Sequence, residues 1–374
     1  MSCSLERSSF AAMWPRLCCV ASLLLLPLLD VSLDPAAGQS VIPKLIFSPW
    51  TKFCLADPDA NGKSVCRTAR FGRTEAGLPI VAAILTEPEG DARKVLRVVL
   101  PFGVQLPQGA RIIVDGGQPL TAPYAACFRK GCMVDFEASA ELIGKLRDGR
   151  TLMVQGIGSR GDQWSIDLPL EDFAKAHDGS PATEVKLVGQ LQEQLPERGS
   201  QVSGELEQQL RKGSHLRYSP WQKFCLKQDG QTVCFTGKDG RFGSGPDMVA
   251  AVLLEPEGGA KKVLRVTLPL GMQMPPGTRI VVDNGQQLTA PYIICLSHGC
   301  MADFEASDEL MGRLKAGQML TVQGVNSQGL AVSPTLPLAE FAKAHDGPPM
   351  DSKKLEESQK KLQEQLKKGP GSLH

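Results

Sequence analysis

Eight of the eleven cysteines fall into two matching sets of four: Cys54, Cys66, Cys127 and Cys132, then Cys225, Cys234, Cys295 and Cys300. Clustered thiols support one of two chemistries, oxidation to disulfides or ligation of a soft ion such as zinc. Cys127-x4-Cys132 and Cys54-x11-Cys66 are loosely ligand-like, but neither has the two-residue spacing of a zinc knuckle. Disulfides are therefore expected at all eight positions, with no metal and no cofactor. Four cysteines allow three pairings per set, and proximity in sequence alone favours Cys54–Cys66 with Cys127–Cys132. The first spacing shortens to Cys225-x8-Cys234 in the second set, as suits a loop of adjustable length closed by one bridge.

Carboxylates offer a second kind of chemistry. Met133-Val134-Asp135-Phe136-Glu137 returns as Met301-Ala302-Asp303-Phe304-Glu305. Residues two apart on a strand share a face, so Asp135 with Glu137, and Asp303 with Glu305, have the placement of an acid/base pair or a small-ligand site. The simpler reading gives Asp135 a turn or a basic neighbour and lets Glu137 lead into a helix N-terminus. It is preferred because no histidine or nucleophile recurs nearby in both copies. His177 and His345 recur in Phe-Ala-Lys-Ala-His-Asp-Gly and are the only histidines repeated. Catalysis there would need Asp178 or Asp346 as partner together with a nucleophile. The aspartates are expected to point away along the helix, leaving each histidine to meet the last helical carbonyls.

Other patterns are weaker. Gly156-Ile157-Gly158-Ser159-Arg160-Gly161 spells a dinucleotide-binding pattern, but a strand follows it and the second copy lacks it, so it reads as a hairpin turn. The same turn holds Arg160-Gly161-Asp162, an adhesion tripeptide that the second copy also lacks. No Gly-x-Ser-x-Gly elbow, P-loop or His-Glu-x-x-His motif occurs. The chain is accordingly read as non-enzymatic. The alternative is a periplasmic small-ligand-binding protein or hydrolase using the Asp135/Glu137 and Asp303/Glu305 strand ends.

The elements that must position these residues come in two copies. Trp50-Thr51-Lys52-Phe53-Cys54-Leu55 returns as Trp221-Gln222-Lys223-Phe224-Cys225-Leu226, and Thr121-Ala122-Pro123-Tyr124 returns as Thr289-Ala290-Pro291-Tyr292. The offset is 171 residues from Cys54 to Cys225 and 168 for the other three cysteines, which locates a three-residue deletion between the first two. A period this long means two self-contained domains rather than a solenoid. Within the first, runs rich in Val, Ile and Leu at 80–86, 94–100, 111–115, 120–128, 132–136, 152–157 and 164–168 alternate with Gly/Pro turns. That rhythm predicts a mainly β domain, a sandwich. Val95 to Leu100 breaks strict alternation and is expected to be buried on both faces. Ser139 caps a short helix over 140–147 that Gly149 stops, repeated from Ser307 to Gly317. Leu170, Phe173, Ala174 and His177 share one face of a second short helix ending at Gly179.

Around these domains the chain changes character. An apolar run over 18–29, preceded by Arg7 and Arg16 and followed by small residues, predicts a secretory signal over 1–38 cleaved before Gln39. The first domain is expected over 41–179 and the second over 217–349. Between them, 180–216 reads as a linker with interrupted amphipathic helices carrying Leu187, Leu191, Leu195, Leu206 and Leu210. A C-terminal amphipathic tail over 350–374 carries Leu355, Leu362 and Leu366. Charge is balanced, with 41 basic and 40 acidic residues, and aromatics are 5% of the chain, so neither nucleic acid nor an anionic membrane is an expected partner. No integral membrane span is expected once the signal is removed.

The repeated strings, taken in order, resemble the invasion-associated locus B family of exported Gram-negative proteins. They are Trp221 to Leu226, Val233-Cys234-Phe235-Thr236-Gly237, Val263 to Met272, Thr289 to Tyr292, Gly299 to Asp303 and Phe341-Ala342-Lys343-Ala344. The resemblance covers about 49–179 and 220–347. It implies tandem immunoglobulin-like β-sandwiches and a periplasmic or cell-surface location. It supplies no catalytic residues. The signal, the matched cysteine sets and the lack of a catalytic constellation point to contact with an envelope or host-surface protein. The first copy departs from the pattern at Arg67-Thr68-Ala69-Arg70 and at Phe102-Gly103-Val104, so the two domains need not bind the same partner.

Overall fold

A computed structural model describes residues 44–56, 63–182, 216–228, 230–241, 248–258 and 261–350. The expected signal, the linker leucines and the C-terminal tail beyond Met350 lie outside the described residues.

The first repeat runs β1 (Ile46–Phe47), β2 (Thr51–Ala56), β3 (Ser64–Arg73), β4 (Pro79–Pro88), β5 (Val95–Leu100), β6 (Ala110–Val114), β7 (Leu120–Ala122), β8 (Tyr124–Phe128), β9 (Gly131–Glu137), α1 (Ala140–Asp148), β10 (Thr151–Ile157), β11 (Gln163–Pro169) and α2 (Phe173–Asp178). The second repeats the plan as β12 (Arg217–Tyr218), β13 (Gln222–Gln228), β14 (Gln231–Arg241), β15 (Met248–Pro256), β16 (Val263–Leu268), β17 (Thr278–Val282), β18 (Leu288–Ala290), β19 (Tyr292–Leu296), β20 (Gly299–Glu305), α3 (Asp308–Ala316), β21 (Met319–Val325), β22 (Ala331–Val332), β23 (Thr335–Pro337) and α4 (Phe341–Asp346).

Each repeat is an antiparallel β-sandwich with short helices. In the first, a seven-stranded sheet ordered β1-β3-β4-β5-β9-β8, with β2 also on β3, faces a four-stranded sheet ordered β11-β10-β6-β7. Leu85, Leu96 and Leu100 from the larger sheet and Leu152 and Leu168 from the smaller are fully buried in one core. Each such leucine contributes roughly 2 kcal/mol of apolar burial. Val99, on the opposite face of β5, is buried too, in a second cluster with Phe53, Ile84 and Met133. This explains why β5 lacks alternation. The second repeat places partly buried Phe224, Val252 and Met301 on the matching face, so the outer surfaces of the two repeats differ.

One expected strand is two. The run 120–128 breaks at Pro123, which has no N–H to give a ladder. β7 pairs with β6 in the smaller sheet, while β8 pairs with β9 in the larger. The helices follow their capping signals. Ser139 Oγ accepts a hydrogen bond from Leu142 N at 3.1 Å, and Ser307 Oγ does the same for Leu310 N at 3.3 Å. Leu170 stands before α2 rather than on it, but is buried and accepts a hydrogen bond from Phe173 N.

β8 and β19 end their larger sheets, and each is covered by the other repeat. Gly103 N donates to Cys295 O at 3.1 Å and Leu106 N to Ile293 O at 2.8 Å. Reciprocally, Gly271 N donates to Cys127 O at 2.8 Å and Met274 N to Ala125 O at 2.9 Å. Both sets join positions offset by 168, so the junction has the reciprocity of a two-fold contact: residue i meets j, and j's equivalent meets i's. Apolar packing runs through it without a break, from Val104 and Leu106 to Met272 and Met274. Unpaired edges are templates for unwanted strand addition, and here each repeat covers its neighbour's.

Candidate functional site

The two family-like strings at opposite ends of each repeat meet in space. Trp50 Nε1 donates to Pro169 O at 3.0 Å, and its ring meets Phe173 edge-on at 4.8 Å between centroids. Two residues on, Lys52 Nζ donates to the carbonyl of His177 at 2.8 Å, and Cys54 bonds Cys66 across β2 and β3. Trp221, Lys223 and Phe341 repeat the arrangement, with Trp221 Nε1 on Pro337 O at 2.9 Å and Lys223 Nζ on His345 O at 2.7 Å. Burial of the aromatic pair and neutralisation of a helix C-terminal carbonyl by lysine fix the last short helix against the first strand.

The repeated histidine sits in this corner between two carboxylates. His177 Nε2 lies 3.0 Å from Glu87 Oε2, and Nδ1 lies 3.0 Å from Asp178 Oδ1. His345 takes Glu255 and Asp346 at 3.1 and 2.7 Å. The aspartates thus do not point away. Each is the last residue of its helix, where the departing backbone lets the carboxylate turn back to the ring, and it is the lysine of β2 or β13 that meets the terminal carbonyl. Lys94 and Lys262 bind Glu87 and Glu255 at 2.7 and 3.0 Å, while Arg147 and Lys315 bind Asp178 and Asp346 at 2.6 and 2.7 Å. The hydrogen bond from His177 leads in holding Asp178 below the usual carboxylate range. For Asp346 the leading cause is Lys315, then His345. Burial pushes Glu255 up, but hydrogen bonds from Lys262 and His345 outweigh it and the net direction is down. With both ring nitrogens facing carboxylates, the histidine serves as a bracket between strand and helix. Glu87 and Glu255 are the partners that sequence reasoning missed; their identical setting in Glu-Pro-Glu-Gly of both copies was the available signal.

The acidic strand ends have basic partners. Arg97 grips Asp135 in a two-pronged pair with both distances 2.7 Å, and Arg265 grips Asp303 identically. The hydrogen bonds that Arg265 donates to Asp303 raise the Arg265 pKa against the opposing effect of burial. Glu137 is exposed at the end of β9, and Glu305 lies 3.3 Å from Lys261. The glycine pattern at 156–161 has local reasons. A Cβ on Gly156 would sit 3.1 Å from the Tyr124 hydroxyl, and one on Gly158 would sit 2.6 Å from Trp164 Nε1. Gly158 N donates to Asp162 O at 2.7 Å, closing the turn from β10 to β11, and the Asp162 carboxylate accepts from Trp164 Nε1 at 2.7 Å.

The sulfurs are joined as Cys54–Cys66, Cys127–Cys132, Cys225–Cys234 and Cys295–Cys300, each across a paired hairpin. Two of these bonds meet at the junction. The Sγ atoms of Cys127, Cys295 and Cys300 all lie within 4.8 Å of one another, fully buried. Beside α1 a groove is lined by Ile112, Leu120 and Leu142 next to the Lys145–Glu141 pair. In the second repeat Arg313 pairs with Glu309 in the same way and also donates to Gln286 at 3.2 Å.

Comparison with known proteins agrees with the duplicated plan. The family described as "Invasion associated locus B (IalB) protein" matches residues 50–181 and again 221–349. The chain belongs to this family and carries its domain twice. Among solved structures, the crystal structure of invasion associated protein B from Bartonella henselae is similar at 19% identity, covering 40% of this chain and 98% of that one, with a TM-score of 0.31. No curated protein matches the chain. The family and the disulfides are consistent with an exported protein. Among the described residues no helix is long and apolar enough to cross a membrane.

Proposed function

We propose that this chain is an exported envelope protein of a Gram-negative bacterium that works by binding an envelope or host-surface protein, without catalysing a reaction. The observation that carries this reading is the reciprocal junction. It holds two copies of one family domain at a fixed spacing, which is what a two-point contact needs to gain avidity. Four disulfides suit an oxidising compartment. Family membership and the apolar run over 18–29 support export. The differing outer faces fit a partner, or two partners, engaged unequally by the repeats. A hydrolytic or ligand-binding role for Asp135, Glu137, Asp303 and Glu305 would need Arg97 and Arg265 to release their carboxylates.

Crosslinking in cells, followed by mass spectrometry of the protein recovered from the envelope under non-reducing conditions, tests the reading. The expected result is an N-terminus at Gln39, four intramolecular disulfides and one consistent crosslinked protein. A chain in the cytoplasm that retains Met1 and carries free thiols would overturn it.

A further inference from the structure

We propose that Cys127 of the first repeat and the Cys295–Cys300 pair of the second form a thiol–disulfide exchange centre, which a dithiol reductant converts into a covalent link between the repeats. The basis is placement. Three sulfurs from two separate disulfides lie within 4.8 Å of one another, and they belong to hairpins 168 residues apart in sequence. The reciprocal hydrogen bonds from Gly271 to Cys127 O and from Gly103 to Cys295 O fix the backbones of the residues that would join. The surroundings are apolar, with Met274 Sδ 3.9 Å from Cys295 Sγ, so water does not compete with sulfur for sulfur.

A dithiol opens Cys127–Cys132: its two sulfurs join as a disulfide, and its two hydrogens pass to Cys127 and Cys132. While the junction is open Cys127 loses its proton to solvent, and on closure the thiolate attacks Cys295 Sγ. The Cys127–Cys295 bond forms, the Cys295–Cys300 bond breaks, and Cys300 leaves as a thiolate that takes up a proton. Attack on Cys300 instead gives Cys127–Cys300 with Cys295 as leaving group, which is also a link between repeats. The two hairpin bonds span separations of only 5 residues. A link between the repeats closes a far longer loop, so once formed it holds the docked state against unfolding more strongly than either hairpin bond does. Because the sulfurs are buried, the dithiol reaches them when the junction opens, and exchange follows when it closes.

The test is peptide mapping of the full chain carrying Cys132→Ser, folded without reductant, isolated as monomer, alkylated and digested with trypsin. Arg129 and Lys130 put Cys127 and Cys132 on separate tryptic peptides, whereas Cys295 and Cys300 share one. The expected result is the Cys127 peptide bonded to the Cys295/Cys300 peptide in most molecules, with one alkylated thiol on the latter. Cys127 alkylated beside an intact Cys295–Cys300 bond, in a chain with the circular dichroism of the parent, would overturn the proposal. The unsubstituted chain, titrated with dithiothreitol and acid-quenched, gives an independent reading should the variant fail to fold. The linked peptide is expected at intermediate reductant, and independent opening of the two hairpin bonds with no linked product would overturn the proposal equally.

Discussion

Replacing Gly103 and Gly271 by alanine should loosen the junction between the repeats by a calculable amount. Both glycines hold positive φ, 89° and 90°, and both donate an amide hydrogen bond to a cysteine carbonyl of the other repeat. A Cβ in left-handed backbone costs roughly 1–2 kcal/mol. At the junction the added Cβ also displaces the amide from its carbonyl, at about 1 kcal/mol per hydrogen bond. Gly161 and Gly329 are matched controls, at φ of 86° and 80° with open space around them and no hydrogen bond to the other repeat. Alanine there carries the conformational cost alone. Each junction variant should therefore lose about 1 kcal/mol more than its control, and the double variant about 2 kcal/mol more. Urea unfolding followed by circular dichroism measures this, and the double variant should also show a lower m-value as the repeats begin to unfold separately. Equal losses at junction and control positions, with an unchanged m-value, would refute the reasoning.

Three further outcomes follow from the same contacts. Removing the Cys54–Cys66 bond by a double alanine substitution should cost about 3 kcal/mol, because it frees a loop with a separation of 12 residues; thermal unfolding in non-reducing buffer reads it. Phe341→Ala should cost about 3–5 kcal/mol, since Phe341 is fully buried between Trp221 and His345, and Phe173→Ala should match it; denaturant midpoints compare them. The folded-state pKa of Glu255 is depressed, so its stabilising contribution is present above the unfolded value of about 4.3 and is lost as pH falls through the folded value. Glu255→Gln should thus make the decline in stability between pH 5 and 3 shallower, and a decline as steep as the parent's would count against the bracket formed by His345, Lys262 and Glu255.

Sequence legibility followed local physics. Short apolar runs bounded by turn residues announced β4 to β6 and β9 to β11, and Ser139 and Ser307 announced their helices, because those signals are set within a few residues. The strands β2 and β3 went unread because Arg67, Arg70 and Arg73 interrupt the apolar pattern of β3 and the short β2 begins with Thr51 and Lys52. The split at Pro123 was visible in the missing donor, but the move of β7 to the other sheet depends on tertiary packing. Glu87 and His177 lie 90 residues apart, so only their shared recurrence hinted at contact. The junction had no local signature at all. Gly103 and Gly271 recur, but that their amides meet the other repeat's cysteines is a property of two folded domains together.

The most direct measurement is native-state hydrogen exchange at the amides of Gly103, Leu106, Gly271 and Met274. If the repeats form one reciprocal unit, these four amides should be protected to the same degree as the core strands β5 and β16, and Gly103→Ala should lower protection at Gly271 and Met274 as well as at its own side. Rapid exchange at all four, alongside full protection within each sandwich, would show two domains moving independently and would contradict the account.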